Sequence, residues 1–411
     1  MLGLSRILVV NGDCVQTNTS ANLCHIAYLN GLVNAGHEVW LLSADGKDYQ
    51  VDASIIIPQQ IHQTAYNGTT LYAKIALKKK QNPNINVHHT LTAETNSNKK
   101  QGIKSKLVHK AKRKVLSLYG AHGIYSRFIR VAQKFRSDIE FDYIISISTP
   151  VSSHLLTHNL LKAKHIKGKR WIQIWEDPWS IDIYGCYNQK TFNEEKRLLN
   201  FAEKVCYVSP LTFKNQQRLF PESAHKMYWQ PLPYYYKNDT VTTVAETNLY
   251  GYFGDYAPVS RDLKPFYEAA KQTGIQVNIC GSPNNLFAST DSITIYPRLP
   301  LDKLKPIEDK TNVLIFLCNR KGGQIPGKIY QYSATYKTIL FILDGTDEEK
   351  KVLREYFEKF NRYVFCENTV EDITRAINDI ENGNIGSVKN EPIEAFNPKE
   401  TIRKILAGEM G

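Results

Sequence analysis

Short apolar runs alternate with amphipathic stretches along this chain. Ile7-Leu8-Val9-Val10 runs into Asn11-Gly12-Asp13, and Val39-Trp40-Leu41-Leu42 forms the next run. Between them Leu23, Ile26, Ala27, Leu29 and Leu32 recur at helical spacing, with Ser20 as the expected N-cap and Gly36 as the expected stop. A strand–helix–strand opening with short connections signals a parallel sheet. Residues about 60–100 break the rhythm with polar runs, which predicts a long loop or insertion, followed by a basic helix from about Ser105 to Ser137. The alternation resumes with a strand over Phe141–Thr149, a helix from about Ser152, a strand over Trp171–Trp175 and a short strand ending at Ser209. Trp229–Asp239, rich in proline and tyrosine, reads as a linker.

A second alternating series follows. "NLYGYFGDY" reads as strand and glycine turn, "SRDLKPFYEAAKQTG" as a helix stopped at Gly274, and "IQVNICGS" and "NVLIFLCN" as strands. Residues 328–336 are expected to be helical, and Thr338–Leu343 to form a strand. Thr346 is the expected N-cap of the next helix, with Glu348-Glu349 near the positive end of its dipole. A strand at "YVFCE" and a helix with apolar positions 370, 373, 377 and 380 complete the series. The pattern predicts an α/β chain of two units: 1–235 with a basic insertion near 75–137, and 236–395. A last helix, 396–411, is expected to return to the first unit.

Length supports two domains, since 411 residues exceed one ordinary core. No run approaches the roughly 18 apolar residues of a membrane span, and the opening strand is too short and polar for a signal peptide. The seven cysteines include no CxxC pair, so they read as small buried hydrophobes, and no metal site is expected. The net charge is +12, and Lys99 to Arg136 holds twelve Lys/Arg with no Asp or Glu. That segment reads as an anionic-membrane surface or as a solvated helix face. The chain shows no nucleic-acid module, so a nucleic-acid partner is not expected.

The motifs GxGxxG, GxxxxGK[ST], HExxH and GxSxG are all absent. Candidate chemistry lies instead in loops at strand ends. These are Gly254-Asp255-Tyr256 with Arg261 beyond, Gly281-Ser282, Asn319-Arg320-Lys321-Gly322-Gly323, and Ile325-Pro326-Gly327-Lys328. Glycine lets a ligand approach the backbone, and lysine and arginine supply positive charge, so Arg261, Arg320, Lys321 and Lys328 can converge on a diphosphate. Each can equally be a solvated loop cation. In the first unit Asp177, in the acidic loop Glu176-Asp177-Pro178-Trp179, can bind a hydroxyl or act as a base, or merely cap the loop. His154 starts a helix and is either catalytic or part of that start.

"IPGKIYQYSATYKTILFI" resembles the P-x-K-x-x-E-Y-x-A-x-G-K-P-I-L segment of GT-B glycosyltransferases, in particular the retaining family 4. "ILVVNG…LNGLVNAGHEVWLLS", "DYIISISTPVSSH", "WIQIWEDPW", "AEKVCYVSP" and "YGYFGDY" are similar to further landmarks of that family, in its order. The resemblance implies two Rossmann-like domains facing across a cleft. The C-terminal one would hold a nucleotide-sugar donor, a UDP- or GDP-sugar, and the N-terminal one a glycan or lipid-linked acceptor. It implies sugar transfer with retention in bacterial surface-polysaccharide assembly, cytoplasmic and peripheral at the inner membrane face, with no required cofactor. By position, Lys328 and Arg261 would hold the diphosphate, with backbone groups of Ile325, Pro326 and Gly327. The residues themselves, rather than the resemblance, add Gly254, Asp255, Gly281 and Arg320 as candidates for the donor site, and Asp177 and His154 as candidates in the first unit; His154 matches no motif of the family closely. The family's ribose-binding glutamate falls at Gln331, whose amide oxygen accepts a hydroxyl without a full charge. The paired acidic position falls at Gly323, and Tyr336 and Thr338 replace the usual glycine and proline. Two other readings stay open: a nucleotide-sugar epimerase on the same fold, and a non-catalytic sugar- or nucleotide-binding relative.

Overall fold

The computed structural model describes residues 4–70, 74, 121–181, 188–237, 248–283 and 285–411. The described chain divides into two compact units. The first comprises Met1–Val208, Phe213–Gln230 and Ile402–Gly411; the second comprises Ser209–Thr212 and Pro231–Thr401.

The first unit is built on seven strands: β1 (Arg6–Asn11), β2 (Glu38–Ala44), β3 (His62–Tyr66), β4 (Glu140–Ser148), β5 (Lys167–Trp175), β6 (Lys204–Tyr207) and β7 (Met227–Trp229). All neighbours are parallel, in the order β3-β2-β1-β4-β5-β6-β7. In register, Ile7 of β1 pairs with Val39 on one side and Tyr143 on the other. The interior of β1 is fully buried, as a strand covered on both faces must be. One face packs Leu8, Val10, Ile144 and Trp171 against Leu156 and Leu160, with Phe128 and Ala132 closing the cluster. The first helix spans Ser20–Asn34, capped by Thr19, whose hydroxyl accepts from the Asn22 amide; Ser20 is the first helical residue rather than the cap.

The second unit has six parallel strands: β8 (Leu249–Phe253), β9 (Gln276–Cys280), β10 (Ile293–Tyr296), β11 (Val313–Leu317), β12 (Thr338–Leu343) and β13 (Val364–Glu367). Their order is β10-β9-β8-β11-β12-β13. Every residue of β11 is buried, each large aliphatic side chain contributing about 1.5–3 kcal/mol when removed from water. Gly274 closes the helix Lys264–Thr273 at φ 68, where a left-handed residue is needed. Thr346 caps Asp347–Glu358 in a reciprocal box with Glu349, as its sequence predicts. The helix expected over 328–336 is shorter, Lys328–Tyr332.

Strand order in each sheet reverses direction once, between β1 and β4 and between β8 and β11. Open parallel sheets bind ligands at the carboxyl ends of the strands flanking such a reversal. The expected basic helix lies, over 105–120, outside the described residues. Its described end forms the helix Ser126–Ala132, which buries Phe128 and Ile129 and exposes Arg127 and Arg130. The face that reads as amphipathic in sequence therefore covers the core here.

Candidate functional site

In the second unit, Gly254 and Gly281 end β8 and β9. A side chain on Gly281 would collide with the Gly254 carbonyl oxygen, so the two loops touch through bare backbone. A side chain at Gly254 would lie 3.5 Å from Arg261 Nη1 and 3.5 Å from Tyr252 Oη. The Arg261 guanidinium thus sits beside the carboxyl end of β8. Lys328 opens the short helix that follows β11, and its charge acts on Cys280, the last residue of β9. Its Nζ lies 3.8 Å from Glu308 Oε1 and 5.7 Å from the centre of the Tyr332 ring. Burial pushes the Cys280 thiol up to about 12, with the Glu308 charge adding to the shift and the Lys328 charge opposing it. That thiol stays protonated and is no nucleophile at neutral pH.

The neighbouring expected residues are engaged in holding loops. Asp255 accepts from Ser282 N at 3.2 Å and pairs with Arg298 at 3.0 Å. Arg320 donates to the Pro258 carbonyl at 3.0 Å, and its own amide donates to the Ser260 carbonyl at 2.8 Å. Lys321 is exposed in the following turn. The Gly322 amide donates to Glu349 Oε1 at 3.1 Å, so the helix that caps itself with Glu349 also fixes the glycine turn. Gly323 accepts at its carbonyl from Ser209 Oγ at 2.7 Å. Ile325, Pro326 and Gly327 lead into the helix Lys328–Tyr332. At five residues it sums little macrodipole, so positive charge at this end of the sheet comes chiefly from side chains.

Gln331 is turned to another task. Its Oε1 accepts from the amides of Tyr235 and Tyr236 at 2.9 and 3.3 Å, and its Nε2 donates to the Tyr236 carbonyl at 2.8 Å. Both ends of the amide meet backbone, and its oxygen, the atom that would accept a ribose hydroxyl, already accepts two hydrogen bonds. Lys337 and Arg362 are buried and serve the fold: Lys337 donates to the carbonyls of Glu308 and Asp309, and Arg362 to those of Thr335 and Lys337.

In the first unit the reversal between β1 and β4 gathers Asn11, Gly12 and Asp13. Gly12 N donates to Ser153 Oγ at 2.9 Å. Asp13 accepts from the Cys14 amide at 2.9 Å, and burial raises its carboxyl above the usual range. Asp177 is exposed, and its Oδ2 accepts from Thr149 Oγ1 at 3.2 Å. His154 shows 0 % of its surface. Its Nδ1 lies 2.8 Å from Ser146 Oγ, and its ring packs tilted against Trp175 with centroids 4.4 Å apart. Burial, aided by the neighbouring His122, pushes it well below the usual imidazole range. A neutral, enclosed imidazole is a core residue in this conformation, separate from Asp177.

Three residues that the sequence gave no reason to join meet beside Asp177. His25 Nε2 lies 3.1 Å from Glu176 Oε2, and His25 Nδ1 lies 2.6 Å from Asn11 Nδ2. His25 and Glu176 are 1 % and 6 % exposed. The only sequence hint was polarity on an otherwise apolar helix at Asn22 and His25. Among the described residues, no group of three or more His, Cys, Asp or Glu could hold a metal ion. No described helix is long and apolar enough to cross a membrane.

No family model matches the chain, and no curated protein matches it. Solved structures do. A glycosyltransferase from Rickettsia africae is 12 % identical, with 99 % of this chain and 94 % of that chain covered and a TM-score of 0.51. Staphylococcus aureus MnaA, solved with UDP, is 8 % identical, with 98 % and 95 % covered and a TM-score of 0.50. The fold is GT-B. At these identities the likeness is one of fold, and it spans both Rossmann-like units rather than either alone. Arg261 stands in the segment after β8, and Lys328 begins the helix after β11.

Proposed function

We propose that this chain is a glycosyltransferase that moves a sugar from a nucleotide-sugar donor to a hydroxyl of a glycan or lipid-linked acceptor, with retention. One observation carries the reading: Arg261 stands at the glycine-lined carboxyl end of β8, next to the sheet's reversal, and Lys328 opens the helix after β11 with its charge acting on the last residue of β9. A departing nucleoside diphosphate gathers negative charge as the sugar–phosphate bond breaks. Fixed cations on the diphosphate stabilise that charge without reorganising. Gly254 allows phosphate oxygens to approach the backbone beside Arg261. The UDP bound by the fold neighbour MnaA supports a nucleotide in this role.

The acceptor chemistry falls to the first unit. Surface-polysaccharide assembly at the cytoplasmic face of a membrane suits the basic composition. The described part of the basic segment offers Arg127 and Arg130 to solvent while Phe128, Ile129 and Ala132 are buried. Binding to an anionic leaflet through it would be electrostatic, at about 1 kcal/mol per cation, and weakened by salt.

A thermal-shift screen over UDP-, GDP- and TDP-sugars tests the reading, because a ligand that binds only the native state raises its melting temperature. At least one donor should stabilise the protein and be consumed, and Lys328→Ala should abolish both effects. A folded protein that binds none of them ends the proposal. Binding without turnover, with any acceptor offered, would instead favour a non-catalytic relative.

A further inference from the structure

Among the described residues, none donates a hydrogen bond to one carboxylate oxygen of Glu176. Its Oε2 faces His25 Nε2 at 3.1 Å, while Oε1 is buried without a hydrogen-bond partner. A buried, unmet acceptor is expensive, and more so when it is charged, so one that persists calls for an explanation.

The surroundings narrow that explanation. Both ring nitrogens of His25 are already committed. Nδ1 lies 2.6 Å from Asn11 Nδ2 and 3.1 Å from Asn22 Oδ1, and Nε2 faces Glu176. The imidazole therefore orients the carboxylate and has no nitrogen left for a ligand. Asn11 comes from the end of β1, Asn22 and His25 from the helix Ser20–Asn34, and Glu176 from the residue after β5. They converge at the carboxyl ends of the strands around the sheet reversal. With one oxygen anchored, the direction of the other is fixed. A fixed carboxylate oxygen repels phosphates and carboxylates and forms strong, charge-assisted bonds with hydroxyl donors.

We propose that Glu176 is a carbohydrate-hydroxyl acceptor, its Oε1 taking a hydrogen bond from a sugar hydroxyl while His25 holds Oε2. The carbohydrate class of the ligand rests on the glycosyl-transfer reading above; the donor requirement rests on Glu176 alone. Asp177, exposed and already accepting from Thr149, is secondary to it. Glu176 shows only 6 % of its surface. The hydroxyl belongs either to the donor's sugar or to the acceptor, and the two sources separate experimentally.

Full-length protein labelled with ¹⁵N-histidine is titrated with methyl α-glucoside, α-mannoside and α-galactoside in one arm, and with UDP-glucose and GDP-mannose in the other. The His25 ring signals are assigned from their loss in His25→Gln. The expected result is a saturable shift of the His25 signal with at least one ligand, and at least tenfold weaker binding in Glu176→Ala. The responding arm names the source. His25→Gln, whose amide can still donate to Glu176, should keep the affinity by calorimetry, whereas His25→Phe should lose at least tenfold. A His25 signal that no ligand of either arm moves overturns the proposal and needs no variant to fold. So does a Glu176→Ala protein with wild-type affinity. A glycoside response without nucleotide-sugar binding ends the donor reading and leaves Glu176 standing. Nucleotide-sugar binding with a silent His25 does the reverse.

Discussion

Gln331 grips the backbone of Tyr236 from both sides, donating to its carbonyl and accepting from its amide. A primary amide can do this because it pairs a donor with an acceptor in one plane, which an ionised carboxylate cannot. A glutamate here would set a carboxylate against the Tyr236 carbonyl. Gln331→Glu should therefore cost about 1–3 kcal/mol of stability, read by urea denaturation. Restoring the residue typical of the resembled family should not improve nucleotide binding.

Lys328 and Glu308 are separated by 3.8 Å and are 31 % and 13 % exposed. A partly exposed pair of that length contributes about 0–1 kcal/mol. Lys328→Ala should leave the melting temperature nearly unchanged while weakening nucleotide-sugar binding at least tenfold by calorimetry. A large loss of stability with unchanged binding would make the lysine structural.

The two glycines at the strand ends should respond differently to the same methyl group. Gly281→Ala drives it into the Gly254 carbonyl and should destabilise the second unit by about 1–3 kcal/mol, as overpacking does. At Gly254 the added carbon meets Arg261 and Tyr252 only at ordinary contact distance. Gly254→Ala should keep its stability and lose affinity for the nucleotide sugar. Thermal unfolding and calorimetry on both variants check the contrast.

Glu195 gives the first unit a pH dependence. It is fully buried and accepts from Ser180 N and Oγ at 2.9 and 2.8 Å. Burial outweighs those bonds and raises its carboxyl from 4.5 to about 7. The folded pKa lies above the unfolded one, so between those values the native state holds a proton that the unfolded state has lost. The stability it contributes falls as pH rises through that window. Glu195→Gln removes the titration. Its stability relative to wild type should rise by on the order of 2 kcal/mol between pH 5 and pH 8, measured by urea denaturation at both.

The strands that sequence reveals best are those buried on both faces, such as β11 and β12, whose apolar runs have no other use. The capping box at Thr346 is equally plain, because its chemistry is local. β3 escapes notice: it is an edge strand, His-Gln-Thr-Ala-Tyr, pairing only with β2. The helix Leu301–Lys310 hides behind Pro306, which sits inside it and reads as a stop. The strand-end cations could be found because glycine turns mark strand ends. His25 and Glu176 could not be paired, since 151 positions separate them and only the folded sheet brings β5 beside the first helix. Gln331 misleads for the opposite reason: its position fits a family pattern, while its partners lie 95 and 96 positions away in the chain.

The first unit includes the last ten residues of the sequence, Ile402–Gly411. Gly411 N donates to the Trp229 carbonyl on edge strand β7, Gln230 Nε2 to the Glu409 carbonyl, and Tyr228 Oη to the Ile405 carbonyl. During translation Pro231–Thr401, nearly all of the second unit, is made between Gln230 and these closing contacts. At ribosomal speed that leaves β7 uncovered for roughly 10–30 s. A chaperone that shields nascent sheet edges should therefore improve the yield more than one that acts after release.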